Sequence, residues 1–471
     1  MLVGGSVRDL LLGTGSKDFD IEVYGLEPDR LLGLLRSIAP VNTVGEQFTV
    51  YKLAFHHNPD CSGEVKRDSD DEWSLKQPGG RMGIDSTCPP AKLGDRFEID
   101  VSIPRRESKS GLGHRGFTVT GDPGMSFEDA ARRRDFTVNA ILFDPLTEEW
   151  VDPWGGKTDL TNRVLRAVCP ATFVEDSLRV LRAVQLAARF RMSVEPGTVA
   201  LCKTIDLSDL PHERVWGEVE KLLTRAVQPS IGLQAALDLG VLEKLFPEIL
   251  ALVDCPQEPD WHPEGDVFTH TKLCIDEAVK LIPDLDTEKA VTVMLGVLLH
   301  DLGKPLTTGV RNGRIRSPGH DEAGVEPARN LLDRLGIHTM NGYDVRSQVL
   351  ALVREHLRPV QFYNDRGRIP AGTFRRLAAR VDPNLLYRVS KADGLGRGPA
   401  GSAVAQDWFI ERIREIGVEL GPPAPLLLGR HLIEAGIEPG PGMGKILKRV
   451  YNLQLDGKVT TLEDALAAAL E

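Results

Sequence analysis

The sequence predicts an α/β head followed by an all-α remainder, and three observations carry that fold class. From residue 1 to about residue 145, short apolar runs such as "IEVYGL", "FTVYKLAF" and "FEIDVSI" alternate with loops, and "SVRDLLLG" reads as a short helix ending at Gly13. Over 146–258 helical spacing dominates, as in "FVEDSLRVLRAVQLAARF" and "ERVWGEVEKLLTRAV". A third segment, 259–400, carries histidines and aspartates on helical stretches, and 401–471 is a helical tail interrupted at "GPPAP" and "EPGPGMG". The 471 residues allow three or four units at roughly 100–200 residues each.

Composition narrows the class. Apolar residues make up 41% and charged residues 27% of the chain, which is ordinary for a water-soluble protein. No apolar run reaches the roughly 18 residues of a membrane span, and no basic-then-apolar leader precedes the first strand. A cytoplasmic location without a membrane partner is therefore expected. The six cysteines (Cys61, Cys88, Cys169, Cys202, Cys255, Cys274) are scattered without a CxxC pair, as in a reducing compartment. Net charge is −11, yet arginines cluster from Arg105 to Arg134 and from Arg179 to Arg189. Local basic faces can thus meet a polyanion, or be plain solvated helix faces. A polar stretch at about 56–96, rich in Gly, Pro and Asp, reads as a surface insertion. Met1 stands so close to the first glycine turn that a few native residues are expected to precede it.

The opening "MLVGGSVRDLLLGTGSKDFDIEVYG" combines a Gly-Gly turn with Asp18 and Asp20. Carboxylates at i and i+2 on a strand share one face, while Phe19 points to the other. Such a pair suits Mg²⁺, whose remaining ligands usually come from water and phosphate. The glycine turn lets backbone N–H groups approach phosphate where a helix begins. Taken alone, the pair is equally two solvated strand carboxylates. Asp100, on another predicted strand, is a third carboxylate suited to accepting a hydroxyl proton. "RRRDFTVNA" adds Arg133, Arg134, Asp135 and Asn139, groups able to hold a ribose hydroxyl and phosphate oxygens.

In this order "LVGGSVRDLLLG", "DFDIEV", "RRDFTVNA" and "VEDSLRVLRAVQLAARF" resemble the class II tRNA nucleotidyltransferases and the related bacterial poly(A) polymerases, over about the first 250 residues apart from the insertion. The resemblance implies a nucleotidyltransferase (polymerase-beta-like) head over 1–145 and a helical, nucleotide-selecting neck and body over 146–258. It implies a reaction in which the 3′-hydroxyl of tRNA attacks the α-phosphate of CTP or ATP and pyrophosphate leaves. Asp18 and Asp20 would hold two Mg²⁺ ions, with Asp100 as the third catalytic carboxylate. Gly4, Gly5, Arg8, Arg133, Arg134, Asp135, Asn139, Asp176, Arg179 and Arg182 would bind the nucleotide; no DNA is involved.

Asp176 and Arg179 are i, i+3, expected on one helix face. A carboxylate accepts and a guanidinium donates. Cytosine and adenine each present an amino donor beside a ring-nitrogen acceptor, so this pair admits both. Uracil and guanine leave polar groups unpaired, at roughly 1–3 kcal/mol each. An intrahelical ion pair is the plain alternative. The loop in "RRESKSGLGHRGFTVTGDPGMSFEDAA" resembles those of enzymes that complete all three additions. "VGEQFTVYKL", with Glu46 and Gln47 in place of two arginines, departs from the poly(A) polymerases. An A-adding or CC-adding partial enzyme, or a poly(A) polymerase, remains the alternative.

In the third segment, "LLHDLGKP" sets His300 beside Asp301 after a wholly apolar run, and His270, His320, His356 and Asp393 add donors. Imidazole and carboxylate together suit a divalent transition metal. The set resembles the metal-dependent HD phosphohydrolases. It implies His270, His300, Asp301 and Asp393 as ligands of Ni²⁺, Co²⁺ or Mn²⁺, and His320 and His356 as a phosphate or second-metal site. A 2′,3′-cyclic phosphodiesterase or phosphatase activity on tRNA ends would follow, while a degenerate HD fold kept for packing is the alternative. In the tail, "GPGMGK" lacks the P-loop spacing; it is a helix start for the tRNA backbone, or simple helix punctuation.

Overall fold

The computed structural model describes residues 1–14, 18–44, 50–56, 96–109 and 117–471. Most of the polar insertion, Glu46 and Gln47, part of the loop before Phe117 and the side chain of Asp18 lie outside the described residues. The described chain forms two compact units: residues Met1–Arg179 with Ser193–Leu210, and Val180–Met192 with Pro211–Glu471.

The first unit is built on a seven-stranded sheet. Its strands are β1 (Leu2–Val3), β2 (Asp18–Glu22), β3 (Val41–Val44), β4 (Val50–His56) and β5 (Arg96–Ser102). A separate hairpin of β6 (Arg105–Lys109) and β7 (Phe117–Gly121) follows, then β8 (Leu142–Asp144) and β9 (Glu149–Val151) return to the sheet. The order is β3-β4-β5-β2-β1-β8-β9. Within it β2 and β5 run parallel and the other pairs antiparallel. The helix Pro28–Ile38, with Pro at its first position where no N–H is needed, presents Leu31 and Leu35 to Tyr51, Leu53, Val101 and Ile103. That apolar layer leaves the opposite face of β2 and β5 to polar residues. The helix expected in "SVRDLLLG" spans Gly5–Leu11, and Gly13 follows in the left-handed region that ends helices.

The second unit is helical. Residues 290–299 of the helix Thr287–Leu299 are all buried, as the run "AVTVMLGVLL" requires of a helix surrounded by others. Gly296 lets neighbours come close, since a Cβ there would meet Val389 Cγ2 at 3.0 Å and Leu352 Cδ1 at 3.1 Å. The ribbon Gly309–Arg311 with Arg314–Arg316 turns through Asn312 and Gly313, whose φ angles are 53° and 76°. Positive φ at both positions is what a two-residue hairpin turn needs. In the tail, Pro441–Leu455 and Leu462–Leu470 close a small core around Leu432, Val450 and Ala465. No helix among the described residues is long and apolar enough to cross a membrane.

Candidate active site and metal centre

On the head sheet, register decides which side chains share a face. Asp18 pairs with Glu98, Asp20 with Asp100 and Glu22 with Ser102, and alternate residues on neighbouring strands point the same way. Asp20 and Asp100 therefore stand on one face, Asp20 exposed on it. Lys52, opposite Asp100 on β4, reaches both carboxylate oxygens at 2.9 and 2.8 Å. Gly4 sits beside this face with φ of 71°, and a Cβ there would lie 3.1 Å from Arg134 Nη1 and 3.2 Å from Asp20 Oδ2. A side chain would thus intrude between carboxylate and guanidinium, and only glycine tolerates that backbone at no steric cost. Gly5 opens the helix Gly5–Leu11. An all-carboxylate donor set beside a glycine turn fits a hard divalent cation.

Glu22 organises the basic side of the site. It is 2% exposed, and its Oε1 accepts from Arg133 Nη2 at 2.8 Å and Arg134 Nη2 at 3.1 Å, while Tyr24 donates to Oε2 at 2.9 Å. Burial pushes the Glu22 carboxyl up, but Arg134 and Arg133 outweigh it and hold it below the ordinary range. Arg8 is buried: it donates to Asp9 Oδ1 from Nε at 2.9 Å and to Asn139 Oδ1 from Nη1 at 2.7 Å. Asn139 in turn donates to Asp135 Oδ1 at 3.0 Å, and so does the Phe136 amide at 2.8 Å. Arg8, Asp135 and Asn139 therefore form a buried relay that fixes the glycine-turn helix against the "RRDFTVNA" segment.

One local expectation is corrected. Asp176 is not helical: the helix begins at Leu178, whose amide donates to Asp176 Oδ1 at 3.2 Å. A short carboxylate that can bond the chain two residues on favours such a turn over helix interior. Arg179, at the helix start, donates to the Thr172 and Arg133 carbonyls at 2.7 and 2.6 Å. Two of its five N–H donors are thereby spent on main chain, which fixes the guanidinium plane. Arg182 lies further along the same helix.

The histidines of the second unit come from the helix Val267–Val279 (His270), the ends of Thr287–Leu299 and Val345–Glu355 (His300 and His356), the start of His320–Ala323 (His320) and the helix Pro383–Leu395 (Asp393). A single rule orients three of the rings. His300, His320 and His356 each direct Nδ1 at the carbonyl three residues earlier, at 2.7, 2.8 and 2.7 Å. A carbonyl only accepts, so Nδ1 carries a proton there and Nε2 is the nitrogen turned into the centre. Those Nε2 atoms converge: His320 to His356 at 3.3 Å, His320 to Asp301 Oδ1 at 3.3 Å, and His300 to Asp301 Oδ2 at 3.1 Å. His270 Nδ1 is held by Glu264 Oε1 at 2.7 Å, and its Nε2 faces Asp393 Oδ1 at 3.1 Å. A carboxylate behind a ligating imidazole is the usual support of a metal-bound histidine.

The set fits a cation on its own terms. His300 Nε2 and both Asp301 oxygens are buried without a hydrogen bond, and Lys304 Nζ, 2.7 Å from Asp301 Oδ2, makes an ion pair lacking hydrogen-bond alignment. Burial, then the neighbouring His300 and His320, lowers the His356 pKa to about 4, keeping it neutral as a ligand must be. Burial opposes charge on Asp301, but His300 and Lys304 outweigh it and hold its carboxyl well below normal. Donor atoms group as His270, Cys274, His300 and Asp393, and as Asp301, His320 and His356. Gly303, within "HDLG", makes this convergence possible, because a Cβ there would overlap His320 O at 2.0 Å.

All six histidine-centre residues read from the sequence are thus neighbours. Sequence reasoning missed Glu22 and Lys52 in the head, and Glu264, Lys304 and Cys274 in the second unit. Strand alternation pointed to Glu22, the next same-face residue after Asp18 and Asp20. Helical spacing pointed to Cys274, four residues after His270.

Residues 1–80 and 85–166 match the poly A polymerase head domain, 192–252 the "Probable RNA and SrmB- binding site of polymerase A", and 267–398 the HD domain. The chain is 36% identical over 345 residues to the multifunctional CCA protein of Mannheimia succiniciproducens, covering 72% of this chain and 70% of that one. It is 33% identical over 461 residues to that of Xanthomonas campestris pv. campestris strain B100, covering 95% of each. The fold is similar to the Bacillus stearothermophilus CCA-adding enzyme in complex with CTP, at a TM-score of 0.60 and 20% identity, over 99% of this chain and 91% of that one. Likeness along nearly the whole of the Xanthomonas protein, over head and HD segments alike, makes this chain a member of the multifunctional CCA protein family.

Proposed function

We propose that this chain adds C, C and A to the 3′ end of tRNA from CTP and ATP, releasing pyrophosphate, and that its histidine centre is a phosphohydrolase for phosphorylated or 2′,3′-cyclic RNA ends. The observation that carries the reading is the carboxylate pair of Asp20 and Asp100 on neighbouring β2 and β5 beside a positive-φ glycine, in a chain related along its length to multifunctional CCA proteins. Both segments belong to domain types that use divalent metals. In the head these are two Mg²⁺ held by Asp18 and Asp20, which supply charge neutralisation of the triphosphate and a more acidic attacking hydroxyl. Asp100, held by Lys52 through both carboxylate oxygens, is the group that accepts the hydroxyl's proton. Glu22 holds Arg133 and Arg134 where phosphate oxygens arrive, and Gly4 leaves room for them. Asp176 and Arg179 read the base edge, with Arg179 kept in plane by its two carbonyls.

In the histidine centre, Ni²⁺, Co²⁺ or Mn²⁺ supplies a water made acidic enough to ionise near neutral pH. His270, His300, Asp301 and Asp393 hold it, and His320 and His356 face the phosphate or a second ion. Lys304 adds positive charge beside them. In this reading residues 1–145 are the head, 146–258 the neck and body, 259–400 the HD segment and 401–471 a tRNA-contacting tail, and the chain acts in the cytoplasm.

The test is incorporation of labelled CTP and ATP into tRNA lacking its terminus, beside a generic oligoribonucleotide. Ordered CCA on tRNA alone is expected. Addition of only A or only CC assigns a partial enzyme, and A tails on the generic RNA assign a poly(A) polymerase. In parallel, 2′,3′-cyclic AMP is incubated with protein and Ni²⁺, Co²⁺ or Mn²⁺; an untouched substrate overturns the phosphohydrolase.

A further inference from the structure

Cys274 stands one helical turn beyond His270 on Val267–Val279, so both project from one side of that helix. It is fully buried, and its Sγ lies 3.3 Å from His270 Nε2. Donor atoms of Cys274, His270, His300 and Asp393 all fall within 4.8 Å of one another. Bond lengths of about 2.1 Å to nitrogen and 2.3 Å to sulfur, at a tetrahedral angle, place two ligands of one ion about 3.6 Å apart. The observed 3.3 Å, a thiol–imidazole hydrogen bond, is within a few tenths of an ångström of that spacing.

Two further features separate this thiol from an ordinary core filler. His300 Nε2, 1% exposed by residue, is in the same group and has no hydrogen-bond partner. The chain at Gly396 presses on the cysteine from behind, where a Cβ would come within 2.3 Å of Sγ. The thiol is thereby confined against the imidazole nitrogen, with the Asp393 carbonyl 3.9 Å away as its other polar neighbour.

We propose that Cys274 is a thiolate ligand of the histidine centre, joining His270, His300 and Asp393, and that it biases the centre toward borderline-soft ions such as Zn²⁺ or Co²⁺ over Mn²⁺ and Mg²⁺. The inference rests on the metal-centre reading above. On binding, the sulfur–hydrogen bond is exchanged for a sulfur–metal bond and the proton leaves to solvent. Thiolate donors select softer ions because hard ones prefer carboxylate and water.

The full chain, stripped of metal and titrated with Co²⁺, reads this directly by absorption. Visible d–d bands together with a near-ultraviolet thiolate-to-cobalt charge-transfer band are expected. Cys274→Ser and Cys274→Ala should keep d–d bands, lose the charge-transfer band and, in chelator competition, weaken Zn²⁺ binding at least about tenfold with Mn²⁺ binding unchanged. The spectrum of the unsubstituted protein decides even where a variant folds poorly. Cobalt d–d bands without charge transfer overturn the cysteine ligand and leave the centre standing. No d–d absorption at all, in wild type as in His300→Ala, overturns the centre itself.

Discussion

Glu22 lies 2% exposed between Arg133 and Arg134, and its worth follows from what its loss would leave behind. Truncating one partner of a buried pair strands the other charge, at about 3–5 kcal/mol. Because both arginines keep some solvent contact, with side-chain exposures of 20% and 18%, Glu22→Ala is expected at the lower end, about 3 kcal/mol, by urea denaturation of the full chain. Asp176 is judged by selectivity. Asp176→Ala should raise UTP or GTP misincorporation roughly ten- to hundredfold, with a smaller fall in CTP addition. Unchanged discrimination would remove it from base selection. At this scale the sequence revealed donors more readily than their partners. Asp18, Asp20 and the histidines were legible because their types and spacing are chemically unusual. Lys52 was not, since nothing local ties it to Asp100, 48 residues away. Arg8, expected from the sequence to contact the nucleotide, has its guanidinium bonded to Asp9 and Asn139, partners that no local pattern announces.

Helices of the second unit are tied by charge as well as by apolar packing. Glu355, at the end of Val345–Glu355, is 3% exposed and accepts from Arg358 Nε at 2.9 Å and Arg380 Nε at 2.8 Å. Burial alone would raise its carboxyl, but Arg380 and Arg358 overcome this and depress it below the ordinary 4.5. With the folded-state pKa below the unfolded one, the stabilisation is full above about pH 4.5 and is lost as pH falls through the folded value. Glu355→Gln should therefore destabilise by about 1 kcal/mol at pH 7, a modest figure because both arginines are half-exposed, and the difference from wild type should shrink in thermal melts as pH falls through the folded-state value. A destabilisation that does not change with falling pH would rule out the charge. Among elements, periodicity located the apolar helix Thr287–Leu299 and the glycine-turn helix, where local pattern and burial agree. It missed the ribbon at Gly309–Arg316, although "NG" between alternating residues is the sequence mark of that turn. It also carried the Leu178–Phe190 helix back over Asp176, whose carboxylate prefers to cap the chain.

For the whole chain, the order of motifs was legible while the pairing that makes them a site was not. β2 and β5 are neighbours although Asp20 and Asp100 are 80 residues apart, with the polar insertion between them. No local signal encodes that register; it comes from the apolar layer of Leu31, Leu53 and Val101 on the other face. The histidine centre likewise gathers five separate helices. Two chemistries in one chain should be separable by single substitutions, which is the account's central claim. The most direct measurement is a crossed assay in which Asp20→Ala and His300→Ala are each given tRNA lacking its terminus with CTP and ATP, and 2′,3′-cyclic AMP with Ni²⁺. The account predicts that Asp20→Ala loses nucleotide addition and retains hydrolysis, and that His300→Ala does the reverse; CCA addition by Asp20→Ala at the wild-type rate would contradict it.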